Sequence, residues 1–140
     1  MLNRKPSDAE AVMIQSSKYI VRNADIPATR SGPLSEIETR RVAEALADNR
    51  LELFYQPVVR AGSNNFVAFF EGLARIRTPN GSVISAGQFM PFVDNTPLGI
   101  KVDRRVLQLA LLRLADNSEM RLSINMMVAS MSDPLWLEIF

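Results

Sequence analysis

Residues 51–77, LELFYQPVVRAGSNNFVAFFEGLARIR, form two apolar runs separated by a polar loop. The first run, residues 51–60, is rich in Leu, Phe, Tyr and Val, most of which favour strands. The loop at residues 61–65 contains Gly, Ser and Asn, which together are a turn signal. The second run, residues 66–77, is apolar apart from three charged residues. The stretch therefore predicts two strands joined by a turn.

The charged residues of the second run are unusual for a strand buried in a core. Alternate residues of a strand share a face, so Glu71 and Arg75 lie on the same face, roughly 13 Å apart along the strand. We expect Glu71 either to have a function or to form an ion pair with Arg75 or another base. That face carries Phe69, Glu71, Leu73 and Arg75, and the opposite face carries Phe70, Gly72, Ala74 and Ile76.

Residues 1–34 are predicted to be a helical leader and linker. Ser7-Asp8-Ala9-Glu10 fits a capping box, which predicts a helix at residues 8–22. Residues 26–33 contain two prolines and a glycine and are typical of a linker. A second capping box at residues 35–38 predicts a helix at residues 36–48. We therefore expect one domain at residues 35–140.

After the two strands, helices and strands alternate, and this order indicates an α/β fold. Asp133 and Pro134 suit the first positions of the last helix. The predicted elements are a tight turn at 78–81, a helix at 86–94 capped by Ser85, a break at 95–99, a helix at 101–115, a strand at 121–127 and a helix that begins at Pro134.

Composition restricts the chemistry of the chain. It has 140 residues, a formal net charge of +1, and neither cysteine nor histidine. Near neutrality argues against DNA or RNA bound through bulk charge. Without thiols or imidazoles a metal site must use oxygen ligands, which select hard ions such as Mg²⁺, Mn²⁺ or Ca²⁺. No stretch approaches about 18 apolar residues, so we expect no membrane segment and a cytoplasmic location.

Two motifs resemble a known family. Tyr55-Gln56-Pro57-Val58-Val59, followed by Glu71-Gly72-Leu73-Ala74-Arg75-Ile76, is similar to the opening of the EAL domain, the bacterial phosphodiesterase of cyclic di-GMP. The resemblance continues through NGSVISAGQFMPFVDNTPLGIKVDRRVL and RLSINMM, over residues 37–140, and aligns Asp103 with the aspartate of the family's L-D-x-W-V stretch. The family usually has Ala at position 72 and Trp at position 76. It also usually has Leu or Val, then Ser, where this chain has Met126 and Met127.

The resemblance implies a modified TIM-type barrel, but only part of one. A full barrel needs about 250 residues, and residues 51–140 number 90. The predicted fold class is therefore α/β: a partial TIM-type (β/α) barrel of EAL type, preceded by the helical leader. We expect the strand at residues 121–127 to be the edge of an unclosed sheet, which a second copy or a partner domain could complete.

The resemblance also implies roles for five residues. Glu71 and Asn125 would bind the catalytic Mg²⁺ or Mn²⁺, and both are expected late in their strands. Arg75 would contact a phosphate of cyclic di-GMP, Gln56 would contact the ligand, and Leu73 would pack near a guanine.

Each of these residues also has a structural interpretation. Arg75 could form a salt bridge, Gln56 a hydrogen bond at the barrel floor, and Leu73 could be plain core. Asn125 could be a strand-end amide that caps a loop.

The function implied is hydrolysis of cyclic di-GMP to linear pGpG. The remaining acidic ligands and a catalytic lysine of the family follow in later strands, so no complete catalytic set is expected in residues 1–140 and this chain should be inactive by itself. The alternative is a degenerate, non-catalytic EAL module that binds cyclic di-GMP or a partner protein. A relic without function is a third interpretation.

Overall fold

The computed structural model describes residues 33–62 and 66–140, so the predicted leader helix at residues 8–22 lies outside the described residues. The described part contains four helices, four strands and two 3₁₀ turns, which confirms the α/β class. None of its helices has the length and apolar character needed to cross a membrane. In chain order the elements are α1 Pro33–Ala47, β1 Leu51–Val59, β2 Val67–Arg77, β3 Val83–Ser85, α2 Ala86–Phe89, a 3₁₀ turn Met90–Phe92, α3 Pro97–Asp116, β4 Leu122–Ile124, a 3₁₀ turn Val128–Ser132 and α4 Pro134–Ile139.

Strand β2 is the centre of the sheet. On one edge it pairs antiparallel with β1, from Ile76 opposite Leu51 to Val67 opposite Val59, which confirms the two predicted strands. On its other edge its middle residues pair in parallel with β4, and its last three residues pair antiparallel with β3. Strand β3 was not predicted, because a run of three residues is too short to show an alternating pattern.

The helices cover one face of this sheet. Ile76 of β2 is completely buried and Leu51 of β1 is 2% exposed. The opposite face is open, with the Phe54 and Phe69 side chains 41% and 37% exposed. The core between helices and sheet consists of Val42, Ala45, Leu51, Ile76, Phe89, Val93, Val102 and Val106.

The helix boundaries differ from the predicted ones at three places. Helix α1 begins at Pro33 instead of residue 36. The predicted helix at 86–94 is a short α-helix followed by a 3₁₀ turn, since Pro91 lacks the N–H that would continue the α-helical hydrogen bonds. Helix α3 begins at Pro97, inside the predicted break, because the Thr96 hydroxyl accepts a hydrogen bond from the Gly99 N–H at 3.2 Å and caps the helix there.

Strand β4 is shorter than predicted, and this corrects the placement of Met127. We expected Ser123, Asn125 and Met127 to share one face of a strand at residues 121–127. The strand ends at Ile124, so the alternation stops there. Met127 is only 9% exposed and its side chain lies against Gly99 of α3, on the helix side of the sheet.

Helix α4 begins as predicted, with Asp133 at the N-cap and Pro134 at the first helical position. The Asp133 carboxylate accepts a hydrogen bond from the Trp136 N–H at 2.8 Å. It also accepts two from the Arg104 guanidinium, one of them at 2.6 Å from Nε, so it joins α4 to α3. The hydrogen bonds from Arg104 hold the pKa of Asp133 below its ordinary value.

This ion pair gives a pH dependence that can be measured. A carboxyl whose pKa is lowered on folding contributes stability above its unfolded pKa and loses that contribution as the pH falls through its folded pKa. We expect Asp133→Asn, which keeps a capping oxygen but removes the charge, to lower the free energy of unfolding near pH 7. The difference from the wild type should shrink below about pH 4, where an ordinary Asp becomes protonated.

Urea unfolding curves between pH 3 and 7 measure this difference. Glu138→Gln, a change of the same kind on α4, is the control and should show no comparable pH dependence. A difference that grows as the pH falls would contradict the assignment of the stabilising charge to Asp133.

Candidate functional site

The open face of the sheet carries most of the residues singled out from the sequence. Residues directly opposite each other in an antiparallel pair point to the same face. Gln56 lies opposite Glu71, and Phe54 lies opposite Leu73. Arg75 lies two residues beyond Leu73 on the same strand and therefore shares that face. The register thus places the three predicted substrate-binding residues and the predicted metal ligand of β2 on one open surface.

Asn125 reaches this surface from the neighbouring strand. Ser123 of β4 is the partner of Glu71 in the parallel ladder, and Asn125 is the first residue after β4. The Asn125 side-chain Nδ2 donates a hydrogen bond to Glu71 Oε1 at 2.8 Å. The structure therefore brings the two predicted metal ligands into direct contact.

The two residues fit a hard cation as part of its coordination shell. The Asn125 Nδ2 donates to Glu71 Oε1. The Asn125 Oδ1 and the Glu71 Oε2 are therefore the two oxygen atoms that this hydrogen bond leaves available to a cation. Oxygen donors of these types are the ligands that Mg²⁺ and Mn²⁺ take in proteins. Within residues 33–62 and 66–140, however, no three His, Cys, Asp or Glu side chains come together as a metal site. These residues by themselves would therefore leave most of a cation's positions to water.

The position of Glu71 within its strand corrects an expectation. We placed it late in the second strand, but it is the fifth of the eleven residues of β2. The reason is that β2 continues past the parallel part of the sheet and uses its last residues to pair with β3. The strand that ends beside Glu71 is β4, whose last residue is Ile124.

Arg75 does not form an ion pair with Glu71, which was one of the structural interpretations of Glu71. Within the described part of the chain its guanidinium lies 5.7 Å from the centre of the Phe54 ring, and its Nη1 donates to the Ala74 carbonyl at 2.8 Å. Desolvation at this half-buried position lowers the pKa of Arg75 from its ordinary value. The guanidinium remains charged at any neutral pH, and its other N–H groups suit a phosphodiester.

Leu73 and Gln56 lie on the same open surface. Leu73 is half-buried and stands outside the cluster that forms the core, so the plain-core interpretation does not describe it. Gln56 is exposed. Their contacts with a nucleotide stay predictions, as do the metal-binding roles of Glu71 and Asn125.

The sequence reasoning missed two features of this face. Phe54 was not singled out, although it supports the Arg75 guanidinium. Glu52 and Arg77 form an exposed, bidentate ion pair across β1 and β2, with distances of 2.6 Å and 2.9 Å. The alternation of Glu52, Phe54 and Gln56 along β1 was the available signal, but it becomes informative only once the register with β2 is known.

Comparison with known proteins identifies the family of this chain. Residues 39–140, more than half of the chain, match the sequence model of the EAL domain. The chain belongs to the EAL domain family. It is 32% identical over 80 residues to the cyclic di-GMP phosphodiesterase PdeB of Shewanella oneidensis, a match that covers 57% of this chain and 9% of that protein.

Solved EAL domain structures share the fold. The FimX EAL domain of Xanthomonas citri in complex with c-di-GMP superposes with a TM-score of 0.64 at 24% identity, over 76% of this chain and 42% of that one. The FimX EAL domain of Pseudomonas aeruginosa bound to c-di-GMP gives a TM-score of 0.60 at 26% identity, over 71% and 41%. The EAL-type fold expected from the sequence is confirmed. The chain spans about two fifths of the length of these structures and is therefore part of an EAL domain.

Three of the four departures from the EAL pattern lie away from the open face, and the fourth, Met126, is 38% exposed. Gly72 points towards β4, and a Cβ there would lie 3.2 Å from Ile124 Cγ2, so glycine lets β4 pack closely. Ile76, where the family usually has Trp, is completely buried in the core. Met127 is held on the helix side. These three substitutions therefore leave the Glu71–Asn125 pair of this EAL domain in place.

The Glu71–Asn125 contact can be tested without any ligand. We expect a double-mutant cycle with Glu71→Ala and Asn125→Ala to give a coupling free energy of about 0.5–1.5 kcal/mol, the range of a single hydrogen bond. Urea unfolding of the wild type, both single variants and the double variant gives this value. The matched control pairs Glu71→Ala with Ser123→Ala, which removes a small polar side chain beside Glu71. Equal coupling in both cycles would show that the Asn125 hydrogen bond is not formed in solution.

Proposed function

We propose that this chain is the N-terminal portion of an EAL-type phosphodiesterase that hydrolyses cyclic di-GMP to linear pGpG. The observation that carries the proposal is the hydrogen-bonded Glu71–Asn125 pair, which shares the open face with Gln56 and Arg75. The relationship to PdeB, named a cyclic di-GMP phosphodiesterase, supports the reaction. The FimX complexes support the ligand. The proposal includes a cytoplasmic location, where bacterial nucleotide signalling takes place.

Each residue has a defined part in this proposal. Glu71 and Asn125 would hold Mg²⁺ or Mn²⁺ through their free oxygens, and a bound cation supplies charge neutralisation and an activated water. Arg75, supported by the Phe54 ring, would bind a phosphate oxygen through its planar N–H groups. Gln56 would donate to the ligand backbone, and Leu73 would offer apolar surface to a guanine.

By itself the chain should turn over no substrate. A two-metal site that stabilises both attacking and leaving oxygens needs several carboxylates, and the described residues bring no three His, Cys, Asp or Glu side chains together. The same observation favours a second candidate function, a non-catalytic module that binds cyclic di-GMP or a partner protein. The affinity for the nucleotide separates the two candidates.

We expect weak binding of cyclic di-GMP, with a Kd above roughly 10 μM, or about −7 kcal/mol. The reason is that Gln56, Arg75 and Asn125 offer only part of a ligand shell. Titration calorimetry measures the affinity, and Arg75→Ala should weaken it further. Arg113→Ala is the matched control, because Arg113 also lies over an aromatic ring, that of Tyr55.

Submicromolar affinity, without turnover, would replace the phosphodiesterase proposal with the effector module. The same samples, incubated with Mg²⁺ or Mn²⁺, should release no linear dinucleotide. Release that disappears in Glu71→Ala would instead show that the chain is active as it stands.

The open face and the edge of β4 also imply a partner. Within the described residues β4 pairs with β2 alone, so its outer backbone groups face no strand. Exposed apolar side chains lie on β2, which pairs with β4, and in the residues that follow β4, among them Phe69, Met126 at 38% and Val128 at 81%. A few hundred Å² of such surface corresponds to several kcal/mol at about 25 cal/mol per Å². We propose that a partner domain or a second copy covers it and completes the barrel.

The isolated chain should therefore associate. We expect dimers or larger species whose thermal midpoint rises with protein concentration, because association stabilises the folded state by mass action. Light scattering and thermal melts over a hundredfold range of concentration measure both quantities. Val128→Lys, at an exposed position four residues after the end of β4, should reduce association, whereas Leu112→Lys at an exposed position of α3 should not. A monomer with a concentration-independent, cooperative melt would contradict the proposed partner.

A further inference from the structure

Helix α3 contains a buried carboxylate that belongs neither to the open face nor to the core. Asp103 is only 4% exposed. Its Oδ2 accepts hydrogen bonds from the Met127 N–H at 2.8 Å and from the Ser130 Oγ–H at 2.6 Å. Burying a charged group costs free energy unless hydrogen bonds compensate, and burial raises the pKa of Asp103. Both compensating donors come from the segment that follows β4.

This segment is held to α3 by a second, independent contact. A Cβ at Gly99 would lie 2.3 Å from the Val93 carbonyl oxygen and 2.7 Å from Met127 Cε, so only glycine allows the Met127 side chain to pack against α3 there. Ser130 is completely buried. The backbone from Met127 to Ser130 is therefore fixed against α3 through both a side chain and hydrogen bonds.

The strand itself offers Asn125 little support. Strand β4 has three residues and, among the described residues, pairs only with β2. Asn125 is exposed and lies beyond the end of the strand. Met127 follows it by two residues, so the position of the Met127 backbone limits where the Asn125 side chain can point.

We propose that Asp103 is a positioning residue for the candidate metal ligand Asn125. By holding the Met127 N–H and the Ser130 hydroxyl, it fixes the chain just beyond β4, so that the Asn125 amide stays on Glu71. This inference deepens the function proposed above and rests on it only for the role of Asn125 as a metal ligand.

The attachment of α4 does not need Asp103. Arg104, the next residue of α3, holds α4 through its ion pair with Asp133. The two neighbouring side chains thus serve different connections, one to the segment after β4 and one to α4. Asp133→Asn is therefore a matched control for Asp103→Asn and Asp103→Ala. It weakens the contact between Arg104 of α3 and α4 and leaves the hydrogen bonds of Asp103 in place.

Nuclear magnetic resonance of the ¹⁵N-labelled full chain tests the inference. The first measurement is the chemical shift and hydrogen exchange of the Asn125 side-chain amide, with Glu71→Ala as the reference for a released amide. We expect Asp103→Ala to move the signal most of the way to this reference and Ser130→Ala to move it partly. Asp103→Asn, which keeps an acceptor oxygen, should stay near the wild type, and Asp133→Asn should leave the signal unchanged.

The second measurement is line broadening by Mn²⁺ around Glu71 and Asn125. Groups that orient a metal ligand typically change metal affinity about 10–100-fold, so Asp103→Ala should need about tenfold more Mn²⁺ for the same broadening. Asp103→Asn should restore the wild-type concentration, which a loss of general stability would not do.

The outcomes separate the positioning role of Asp103 from the proposed metal site at Glu71 and Asn125. An Asn125 amide signal unchanged in folded Asp103→Ala overturns the positioning role. If Asp103→Ala does not fold, an unchanged signal in Ser130→Ala overturns it. Wild-type protein whose Asn125 signal follows these expectations, but which shows no Mn²⁺ broadening, contradicts the proposed metal site and leaves the positioning role supported.

Discussion

Alternation along β2 is the constraint on which the rest of the structure depends. Successive side chains of this strand point to opposite faces, and one face is sealed by helices while the other stays open. Ile76 and Gly72 belong to the sealed face, and Glu71 and Arg75 to the open one. A shift by one residue would bury both charges and expose the core residue. The burial of Ile76 therefore also fixes where Glu71 can act.

Helix α3 connects this sheet to the segment that carries Asn125. Its apolar residues Val102 and Val106 pack on the sealed face. Gly99, Asp103 and Arg104, on the same helix, hold the chain after β4 and the start of α4. One helix thus contributes to the core and also contacts the segment that follows the candidate ligand Asn125.

The side chains on the open face are of the chemical types that the resemblance to the EAL domain family led us to expect. The chain has no histidine or cysteine, so oxygen ligands are what it can offer to a metal, and the structure brings two of them together. The substitutions at Gly72, Ile76 and Met127 lie on the helix side of the sheet. The close approach of Ile124 explains the glycine at position 72. Three of the four departures from the family pattern therefore lie in the packing of the sheet, and Met126 is the exposed one.

The sequence by itself determined the two long strands, which residues of β2 share a face, and the start of α4 at Asp133 and Pro134. These features depend on periodicity and on caps, which act over a few residues. Only the tertiary structure decided that β4 ends at Ile124 and that Met127 turns to the helix side. It also decided that Glu71 contacts Asn125 instead of Arg75, that Phe54 supports Arg75, and that Asp103 holds the chain beyond β4. The physical reason is that each of these contacts joins different elements, as with the 54 positions that separate Glu71 from Asn125. Such contacts depend on strand register and helix packing, which no local pattern contains.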